Sequence, residues 1–333
     1  MLLAAAGSIA SLAARAAAST TLRVAYIPIL AMAQLFVIVG EGWAAQAGLD
    51  LRLTRFSSGP AMVQALASGG YDVAYIGIGP AMVARSAGID LRVVAANGID
   101  QGSLIGIGTF AEIFAATPKP AEAFARFRAT SGRPVRIATL PKGSVPDTVL
   151  QYWLNEVAYV AAGDVSVLGV GEDRVQQVLL AGSADAASAL EPILTIVLER
   201  APSARILVGG GAMFPGQPGA VLALAASTIA AHREAAQALV GLHVRATKLI
   251  VSDPARAARS TNQILGPGLV SEATLVKAFA SQAMRPISNP HDIEAATARL
   301  GAYQVTLGTL ARTVAAAELF DTSLYDALAP ISR

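Results

Sequence analysis

The stretch FSSGPAMVQALASGGYDVAYIGIGP, residues 56–80, contains two glycine-rich breaks, 57–60 and 77–80. A helix-like run and the strand-like run 71–77 lie between them. Each break ends in a proline, and proline suits the first turn of a helix because its missing N–H needs no partner there. The stretch therefore predicts one buried strand with a helix start on each side.

The same alternation of strand-like and helix-like runs continues along the chain, and it predicts parallel sheets covered by helices. The predicted strands are 22–27, 49–56, 71–77, 90–96, 103–108, 134–140, 165–171, 184–190, 204–210 and 220–226. The predicted helices between them are 60–69, 80–87, 120–129, 146–158, 172–182 and 191–201. From Ser227 onward only helices are expected, at 227–251, 253–264, 271–281, 291–299 and 303–329.

A weak internal repeat relates 62–74 to 175–187, with Gly69 matching Gly182 and Asp72 matching Asp185. Both segments predict a helix, a glycine stop, an acidic turn and a buried strand. The match predicts an α/β protein with two lobes of similar build, in which the chain crosses to the second lobe near 103 and returns over 209–222. The predicted domains are an export signal and two lobes: 1–18 for the signal, 19–102 with 222–333 for lobe 1, and 103–221 for lobe 2.

Composition excludes several classes of protein. The net charge is +2 and there is no lysine or arginine stripe, so no nucleic-acid partner is expected. The chain has no cysteine, which excludes thiolate catalysis, zinc–thiolate sites and disulfides. Its three histidines are scattered, so neither a metal nor a cofactor is expected.

The amino terminus resembles an export signal, because an apolar run ends in the small residues Ala16, Ala17 and Ala18. Cleavage near Ala18 is expected; an alanine-rich helix without a targeting role is the alternative. A second apolar run, 24–40, is short for a membrane span and is interrupted by Pro28 and Gln34. It predicts a buried strand followed by a buried helix.

Ligands of open α/β sheets bind beyond the carboxyl ends of the strands, and there a proline opens the next helix at four junctions. The four prolines are Pro60, Pro80, Pro146 and Pro192, and the capping candidates before them are Ser58 with Gly59, Gly79 and Ser144. Asp147 makes a capping box with Ser144. Helix starts carry unpaired N–H groups and positive partial charge, so converging starts predict a site for a small anion. The alternative is a set of ordinary strand-to-helix turns.

Catalytic and nucleotide motifs are missing. There is no phosphate-binding loop of the Gly-x-x-x-x-Gly-Lys type and no Gly-x-Ser-x-Gly sequence. The pair Gly106 and Gly108 lacks the third glycine of a dinucleotide motif and, by prediction, a following helix start. The residues indicate a binding protein rather than an enzyme.

Three segments now point to a family. Residues 22–95, PKGSVPDTVLQYWL (141–154) and ALEPILTIVLERAP (189–202) resemble the nitrate/sulfonate/taurine-type substrate-binding proteins of ABC importers. The resemblance implies a two-lobed, type II periplasmic-binding-protein fold that closes on a small ligand. It also implies a monomer in the periplasm that delivers its ligand to an ABC-transporter permease.

By matching position, the resemblance implies ligand contacts from both lobes. Those of lobe 1 are Pro28, Met32, Gln34, Ser57, Ser58, Gly59, Gly77, Ile78 and Gly79; those of lobe 2 are Lys142, Gly143, Ser144, Val145, Leu190 and Glu191. Leu190 replaces a tryptophan of many relatives, so a smooth apolar pocket is expected, formed through Ile29, Leu30, Met32, Ile78, Met213 and Phe214.

Three roles stay open at this point. Lys142 either pairs with an anionic ligand or points to solvent. Glu191 either binds an ammonium group or complements its own helix. The stretch 213–219 forms either a wall of the cleft or a hinge.

The expected function is capture of a small organic anion, such as a sulfonate or carboxylate, without catalysis. The alternative is a cytoplasmic biosynthetic enzyme on the same fold, of the thiamin-precursor or menaquinone-pathway type, and a third possibility is a sensor domain.

Overall fold

The computed structural model describes residues 19–265 and 270–328, so the predicted export signal, 1–18, lies outside the described residues. Ten strands form within the described part of the chain. They are β1 (Thr20–Tyr26), β2 (Leu49–Arg55), β3 (Val73–Gly77), β4 (Leu91–Ala96), β5 (Ser103–Gly106), β6 (Val135–Thr139), β7 (Val165–Gly169), β8 (Ala186–Ala189), β9 (Arg205–Val208) and β10 (Ala220–Ala225). All ten predicted strands are confirmed, each with its ends moved by a few residues.

The strands form two five-stranded mixed sheets of matching design. The first has the order β2-β1-β3-β10-β4 and the second the order β7-β6-β8-β5-β9. In the first sheet β10 runs antiparallel to both neighbours, and in the second β5 does so. Each antiparallel strand is the first one after the chain has crossed from the other sheet. The predicted two-lobed α/β fold is therefore present, and we call the parts around the two sheets lobe 1 and lobe 2.

Helices cover both sheets. Those between the strands are α1 (Ala33–Gly40), α2 (Trp43–Gln46), α3 (Gly59–Leu66), α4 (Ile78–Ser86), α5 (Gly108–Ala115), α6 (Pro120–Ser131), α7 (Val145–Tyr152), α8 (Glu172–Leu180), α9 (Ile193–Arg200) and α10 (Gly210–Met213). Those of the tail are α11 (Ala226–Ala231), α12 (Arg233–Ser252), α13 (Pro254–Leu265), α14 (Glu272–Phe279), α15 (Glu294–Thr306), α16 (Ala316–Leu319) and α17 (Ser323–Asp326). Short 3₁₀ turns occupy Leu30–Met32, Ala162–Asp164 and Pro290–Ile293, and a π-helical turn at Trp153–Val157 extends α7.

The predicted helix over 227–251 is divided at His232 into α11 and α12. Two further helix predictions were wrong. A single helix over 303–329 does not form, because α15 ends at Thr306 and Gly308 follows with a left-handed φ of 68°. The chain then continues only into the short α16 and α17. The second error is α5, which begins at Gly108, so a helix start does follow Gly106 and Gly108. The third glycine of a dinucleotide motif is still absent.

The apolar run 24–40 is buried in lobe 1. It supplies the end of β1 and all of α1, in which Leu35, Phe36 and Ile38 have no exposed surface. This confirms the predicted buried strand and buried helix. Among the residues that the structure describes, no helix has both the length and the apolar character of a membrane crossing.

The internal repeat is confirmed. Helices α3 and α8 are followed by Gly69 and Gly182, which adopt left-handed φ angles of 72° and 68°. In that region a side chain is strained, so glycine is the favoured residue at both positions. The buried strands β3 and β8 follow, and they pair in parallel with β1 and β6 respectively.

The two crossing segments, 97–102 and 209–219, lie side by side. The N–H of Asp100 donates to the carbonyl of Gln217 (2.9 Å), and the N–H of Gln217 donates to the Asp100 carboxylate (2.9 Å). The predicted domain boundary at 222 falls inside β10, which belongs to the first sheet. We therefore propose moving that boundary to the start of β10.

Candidate functional site

A cavity lies between the two lobes, with an empty volume of about 480 Å³ that includes its opening to solvent. Lobe 1 lines it with Ile27, Ile29, Met32, Gly59, Gly77 and Pro80, and lobe 2 with Leu140, Ser144, Val145, Pro146 and Leu190. The crossing segments and the start of β10 add Gly102, Gln217, Gly219 and Ala220. The cavity therefore lies where the sequence predicted a cleft, at the carboxyl ends of strands from both sheets.

Helices α3 and α7 start at the cavity from opposite lobes. The side-chain oxygen of Ser58 accepts a hydrogen bond from the N–H of Ala61, and that of Ser144 accepts one from the N–H of Asp147, each at 3.3 Å. Both serines are thus helix caps, as predicted. The N–H groups of Gly59 and Val145, the first residues of these helices, donate to no acceptor among the described residues. Two backbone donors from opposite lobes are therefore free at the cavity.

The third helix start differs from its prediction. The cap of α4 is Gly77 rather than Gly79, and the N–H of Ile78 donates to the carbonyl of Gly219 (3.0 Å). This bond joins α4 to the crossing segment beside the cavity. Gly77 itself is confined, because an added Cβ would lie 3.1 Å from a methyl group of Val145 in the other lobe.

The capping box at α7 is closed in a different way from the prediction. The Asp147 carboxylate accepts from the N–H of Gly143 (3.0 Å), while the N–H of Ser144 donates to the carbonyl of Pro141 (3.0 Å). Burial raises the pKa of the Asp147 carboxyl. The Asp147 carboxylate therefore fixes the loop before α7, and Asp147 does not line the cavity, whereas Ser144 does.

Proline 192 differs slightly from its prediction, because it caps α9 and the helix itself begins at Ile193. The peptide bond between Glu191 and Pro192 is cis. The main-chain oxygen of Glu191 accepts a hydrogen bond from the N–H of Leu30 in lobe 1 (2.9 Å). This turn thus contributes to the contact between the lobes through its backbone.

The Glu191 side chain faces its own helix. Its carboxylate accepts from the N–H (3.1 Å) and the hydroxyl (2.9 Å) of Thr195, and it does not line the cavity. Burial raises the pKa of the Glu191 carboxyl above its usual value. Of the two predicted roles, complementing the first turn of α9 is the one that the structure shows.

Two more predicted contacts lie away from the cavity. Lys142 is exposed and does not line it, so the solvent-facing alternative holds. Gln34 is buried in lobe 1, where its amide donates to the carbonyl of Asn97 (2.8 Å) and to the hydroxyl of Thr247 (3.3 Å). Its role is to tie α1 to the strand end after β4, and sequence position alone did not distinguish this role from ligand contact.

The other predicted residues surround the cavity in two groups. Met32, Gly59, Gly77, Ser144, Val145 and Leu190 line it, whereas Ser58, Ile78, Gly79 and Gly143 are buried beside it. Of the apolar residues expected in the wall, Ile29 and Met32 line the cavity; Leu30, Met213 and Phe214 pack elsewhere in the core. The ring of Phe214 lies 4.7 Å from that of Tyr152.

Pro28 and Ser57 lie at one edge of the cleft, in a pocket that also contains Arg55, Glu172 and Asp173. The N–H of Glu172 in lobe 2 donates to the carbonyl of Ser57 in lobe 1 (3.2 Å). Burial, with a smaller contribution from Asp173, raises the pKa of the Glu172 carboxyl to about 8. This buried carboxyl therefore lies directly at the interface between the lobes.

Sequence reasoning missed Gln217 as a cavity residue. Its side chain accepts from the N–H of Gly102 (2.7 Å) and donates to the carbonyl of that residue (3.3 Å), and it is buried. The signal was its position in the proline- and glycine-rich stretch 213–219, for which a cleft wall was one alternative. Gln217 forms part of that wall and also joins the two crossing segments.

No residue lining the cavity carries an ionisable side chain. Among the described residues there is also no group of three or more His, Asp or Glu side chains placed to hold a metal ion. The lining is almost entirely apolar, and its polar groups are the side chains of Ser144 and Gln217 and the two free N–H groups. This arrangement suits non-covalent binding of a small molecule that combines an apolar part with a hydrogen-bond acceptor.

Solved structures of several ligand-binding proteins share this fold. The ligand-binding component of an ABC-type import system from Staphylococcus aureus is 17% identical, with a TM-score of 0.75 over 92% of this chain and 98% of that one. The alkanesulfonate-binding protein SsuA from Xanthomonas axonopodis pv. citri, bound to MOPS, is 19% identical, with a TM-score of 0.71 over 92% and 99%. The periplasmic nitrate-binding protein NrtA from Synechocystis PCC 6803 is 15% identical, with a TM-score of 0.77 over 94% and 89%.

At these identities the likeness concerns the fold, and at that level it confirms the resemblance found in the sequence. The model of the NMT1-like family matches residues 15–266, about three quarters of the chain, and the protein belongs to this family. No curated protein matches the chain.

Proposed function

We propose that the protein is the solute-binding component of an ABC importer and that it captures a small organic anion, of the sulfonate or carboxylate kind, between its lobes. The observation that carries the proposal is the pair of unpaired N–H groups, on Gly59 and Val145, at helix starts of opposite lobes. Helix starts stabilise negative charge through these donors and through the helix dipole, so no arginine is needed. The apolar walls then suit the organic part of the ligand.

Binding and closure are linked in this proposal. The lobes already touch through Leu30 and Glu191, through Ser57 and Glu172, and through the amide of Gln304, which donates to the carbonyl of Gly143 (3.3 Å). A ligand that contacts both helix starts interacts more strongly with the closed form than with the open one, and this difference drives closure. The closed form is then the one presented to a membrane permease.

The protein acts in the periplasm as a monomer in this proposal, after removal of residues 1–18. The enzyme alternative needs a titratable group at the substrate, and none lines the cavity. The location test is amino-terminal sequencing of the protein recovered from periplasmic and cytoplasmic fractions. A mature chain beginning near Ser19 supports the proposal, whereas an uncleaved cytoplasmic chain favours the enzyme.

The ligand test asks whether small organic anions bind to the protein and whether the free N–H of Val145 contributes to binding. Alkanesulfonates and alkanecarboxylates of one to six carbons are screened by thermal shift and by calorimetry, since a ligand of the native state raises stability. The Val145→Pro variant removes one free N–H at a position where proline suits a helix, and Val145→Ala is its control, because it shortens the side chain and keeps the N–H. We expect binding to fall at least tenfold in Val145→Pro and much less in Val145→Ala; equal affinities would contradict the role of the helix start.

A further inference from the structure

A second pocket, here called the Glu191 pocket, lies beyond the turn at Glu191 and Pro192. Its empty volume is about 870 Å³, including its opening. The polar and charged side chains that line it include Asp100, Ser103, Glu191, Thr195, Ser281 and Arg285. Leu190 lines the interlobe cavity, whereas its neighbour Glu191 lines this pocket. The turn that contains both residues therefore separates the cavity from the pocket.

The carboxylate of Glu191 is the buried charged group of this pocket. The residue is 4% exposed, and its carboxylate accepts hydrogen bonds from the N–H and the hydroxyl of Thr195. Each carboxylate oxygen accepts one of these bonds and keeps further lone pairs for another donor. The lining cation, Arg285, is paired with Asp100 and so is not the partner of Glu191.

The Ser281 hydroxyl lies beside this carboxyl. Its oxygen is buried and makes no hydrogen bond of ordinary geometry with a described residue, but a weaker one to the carboxylate opposes the rise in the pKa of Glu191. A buried hydroxyl without a partner costs free energy, and ligand binding is one way in which that cost is removed. Both groups therefore accept a hydrogen-bond donor at the same end of the pocket.

The rest of the lining is apolar and partly open to solvent. Leu198 and Ile206 are 43% and 42% exposed. Leu194, which lies between Glu191 and Leu198 in the sequence, also lines the pocket. Large apolar side chains that remain exposed at the mouth of a pocket mark surfaces where an apolar group is bound. The pocket thus has an anionic, acceptor-rich end and an apolar mouth.

We propose that the Glu191 pocket binds a small primary organic ammonium ion. Its –NH₃⁺ group donates to the Glu191 carboxylate and to the Ser281 hydroxyl, and its hydrocarbon chain covers Leu198 and Ile206. Burial disfavours the ionised form of Glu191, and a cation within hydrogen-bond distance reverses that preference. The proposal concerns a site outside the interlobe cavity and does not depend on the anion proposed for that cavity.

The test uses n-butylammonium chloride with the full mature chain. Binding is measured by calorimetry and by thermal shift, against sodium chloride at the same ionic strength and against n-butanol as the neutral analogue. We expect saturable binding of n-butylammonium and none of n-butanol. Equal stabilisation by n-butanol, or no saturable binding of the amine, would overturn the proposal.

Variants locate the site. Glu191→Gln keeps the size of the side chain and an acceptor for Thr195, and Ser281→Ala removes the hydroxyl. Glu199→Gln is the matched control, since Glu199 lies on α9, the helix that follows Glu191, and pairs with Lys277 away from the pocket. We expect at least tenfold weaker binding in Glu191→Gln, about threefold weaker binding in Ser281→Ala and no change in Glu199→Gln.

Unchanged affinity in both pocket variants would reject the site. If Glu191→Gln does not fold, the affinity of Ser281→Ala for n-butylammonium alone decides whether the site is correct. An alkanesulfonate that binds the interlobe cavity is not expected to compete with the amine. If one of the two ligands does not bind, the proposal for the other ligand is therefore unaffected.

Discussion

The two lobes start their buried strands from equivalent aspartates. In lobe 1, Asp72 accepts from the N–H of Arg23 (2.8 Å) and from the guanidinium of the same residue (2.9 and 3.0 Å). In lobe 2, Asp185 accepts from the N–H of Arg136 (2.9 Å), but its guanidinium partner is mainly Arg133 (2.6 and 2.8 Å). The backbone arrangement is repeated, whereas the charged partner is supplied from a different position of the sequence.

The difference shows which part of the repeat is required by the fold. The N–H of the facing strand must be satisfied in the same place in both lobes, because β1 pairs with β3 as β6 pairs with β8. A guanidinium, in contrast, reaches a carboxylate through a long and flexible side chain. Its position in the sequence is therefore free to vary, and this explains why the repeat is weak at the level of residues.

The largest expected effect comes from a feature that lobe 2 lacks. His243 is buried in lobe 1, where its Nε2–H donates to the carbonyl of Ala96 (2.8 Å) and its Nδ1 lies 3.3 Å from the hydroxyl of Tyr75. Burial lowers the pKa of His243 from 6.5 to about 4. Since the unfolded chain binds the proton more readily, the free energy of unfolding should fall by about 3 kcal/mol as the pH drops from 6.5 to 4.

Urea denaturation between pH 4.5 and 7 measures this loss, and hydrogen exchange shows where it occurs. We expect amides of lobe 1 to lose protection first, because the sequence of lobe 2 contains no histidine. His243→Gln should flatten the pH dependence although it lowers stability at pH 7. An unchanged slope in this variant would show that another group causes the acid sensitivity.

The second prediction compares the equivalent aspartates. Asp185→Asn should lower the free energy of unfolding by about 2 kcal/mol and Asp72→Asn by about 1 kcal/mol. The Asp185 side chain is 12% exposed, against 21% for Asp72, and the less exposed pair is screened less by water. Chemical denaturation at pH 7 measures both effects, and equal losses would mean that burial does not decide the strength of the pair.

The pH dependence of the free energy of unfolding of these two variants tests whether the negative charge of each aspartate is the cause of the stabilisation. Burial alone would raise the pKa of Asp185, but the hydrogen bonds from Arg133 and from the N–H of Arg136 outweigh it and lower that pKa. The hydrogen bond from Arg23 lowers the pKa of Asp72. The stabilisation is therefore present above the usual carboxyl pKa and is lost as the pH falls through the lowered value, so the variants should approach the wild type in acid.

A third prediction tests the contact between the lobes. The pKa of Glu172 is about 8 in the closed form, against an ordinary value of 4.5. Ionisation should therefore disfavour closure progressively as the pH rises between these values. Affinity for an alkanesulfonate, whose charge is constant over this range, should fall by more than tenfold, and by up to several hundredfold, from pH 5 to pH 8 in the wild type, because one proton is gained on closure over most of this range.

Calorimetry at pH 5, 6.5 and 8 measures this change. Glu172→Gln should bind the sulfonate with nearly constant affinity, whereas Glu234→Gln, which alters an exposed carboxyl on α12, should behave as the wild type does. A pH dependence that persists in Glu172→Gln would place its origin elsewhere.

The smallest effects separate the two capping serines. Ser58→Ala and Ser144→Ala should each lower the free energy of unfolding by about 1 kcal/mol, because each removes a helix cap. Ser144 lines the cavity and Ser58 does not, so only Ser144→Ala should also weaken ligand binding several-fold. Denaturation and calorimetry on the same samples measure the two quantities, and an equal loss of affinity in both variants would contradict the cavity as described.

The sequence by itself determined the ten strands, the capping serines and the repeat of Asp72 and Asp185. These follow from patterns within short stretches of chain: runs of apolar residues, serine or glycine before proline, and glycine where φ is positive. Local chemistry is sufficient for them, because each pattern stabilises the same local structure wherever the segment packs. The predicted ends of the strands therefore moved by only a few residues.

The tertiary structure alone decided where side chains point. Glu191 faces its own helix, Lys142 faces solvent, and Gln34 binds the backbone of lobe 1, although all three lie within predicted contact segments. Gln217 reaches the cavity because two crossing segments far apart in the sequence lie side by side. The direction of a side chain depends on neighbours that only folding brings together. Sequence thus determined the elements and the place of the cleft, and packing determined which residues form its walls.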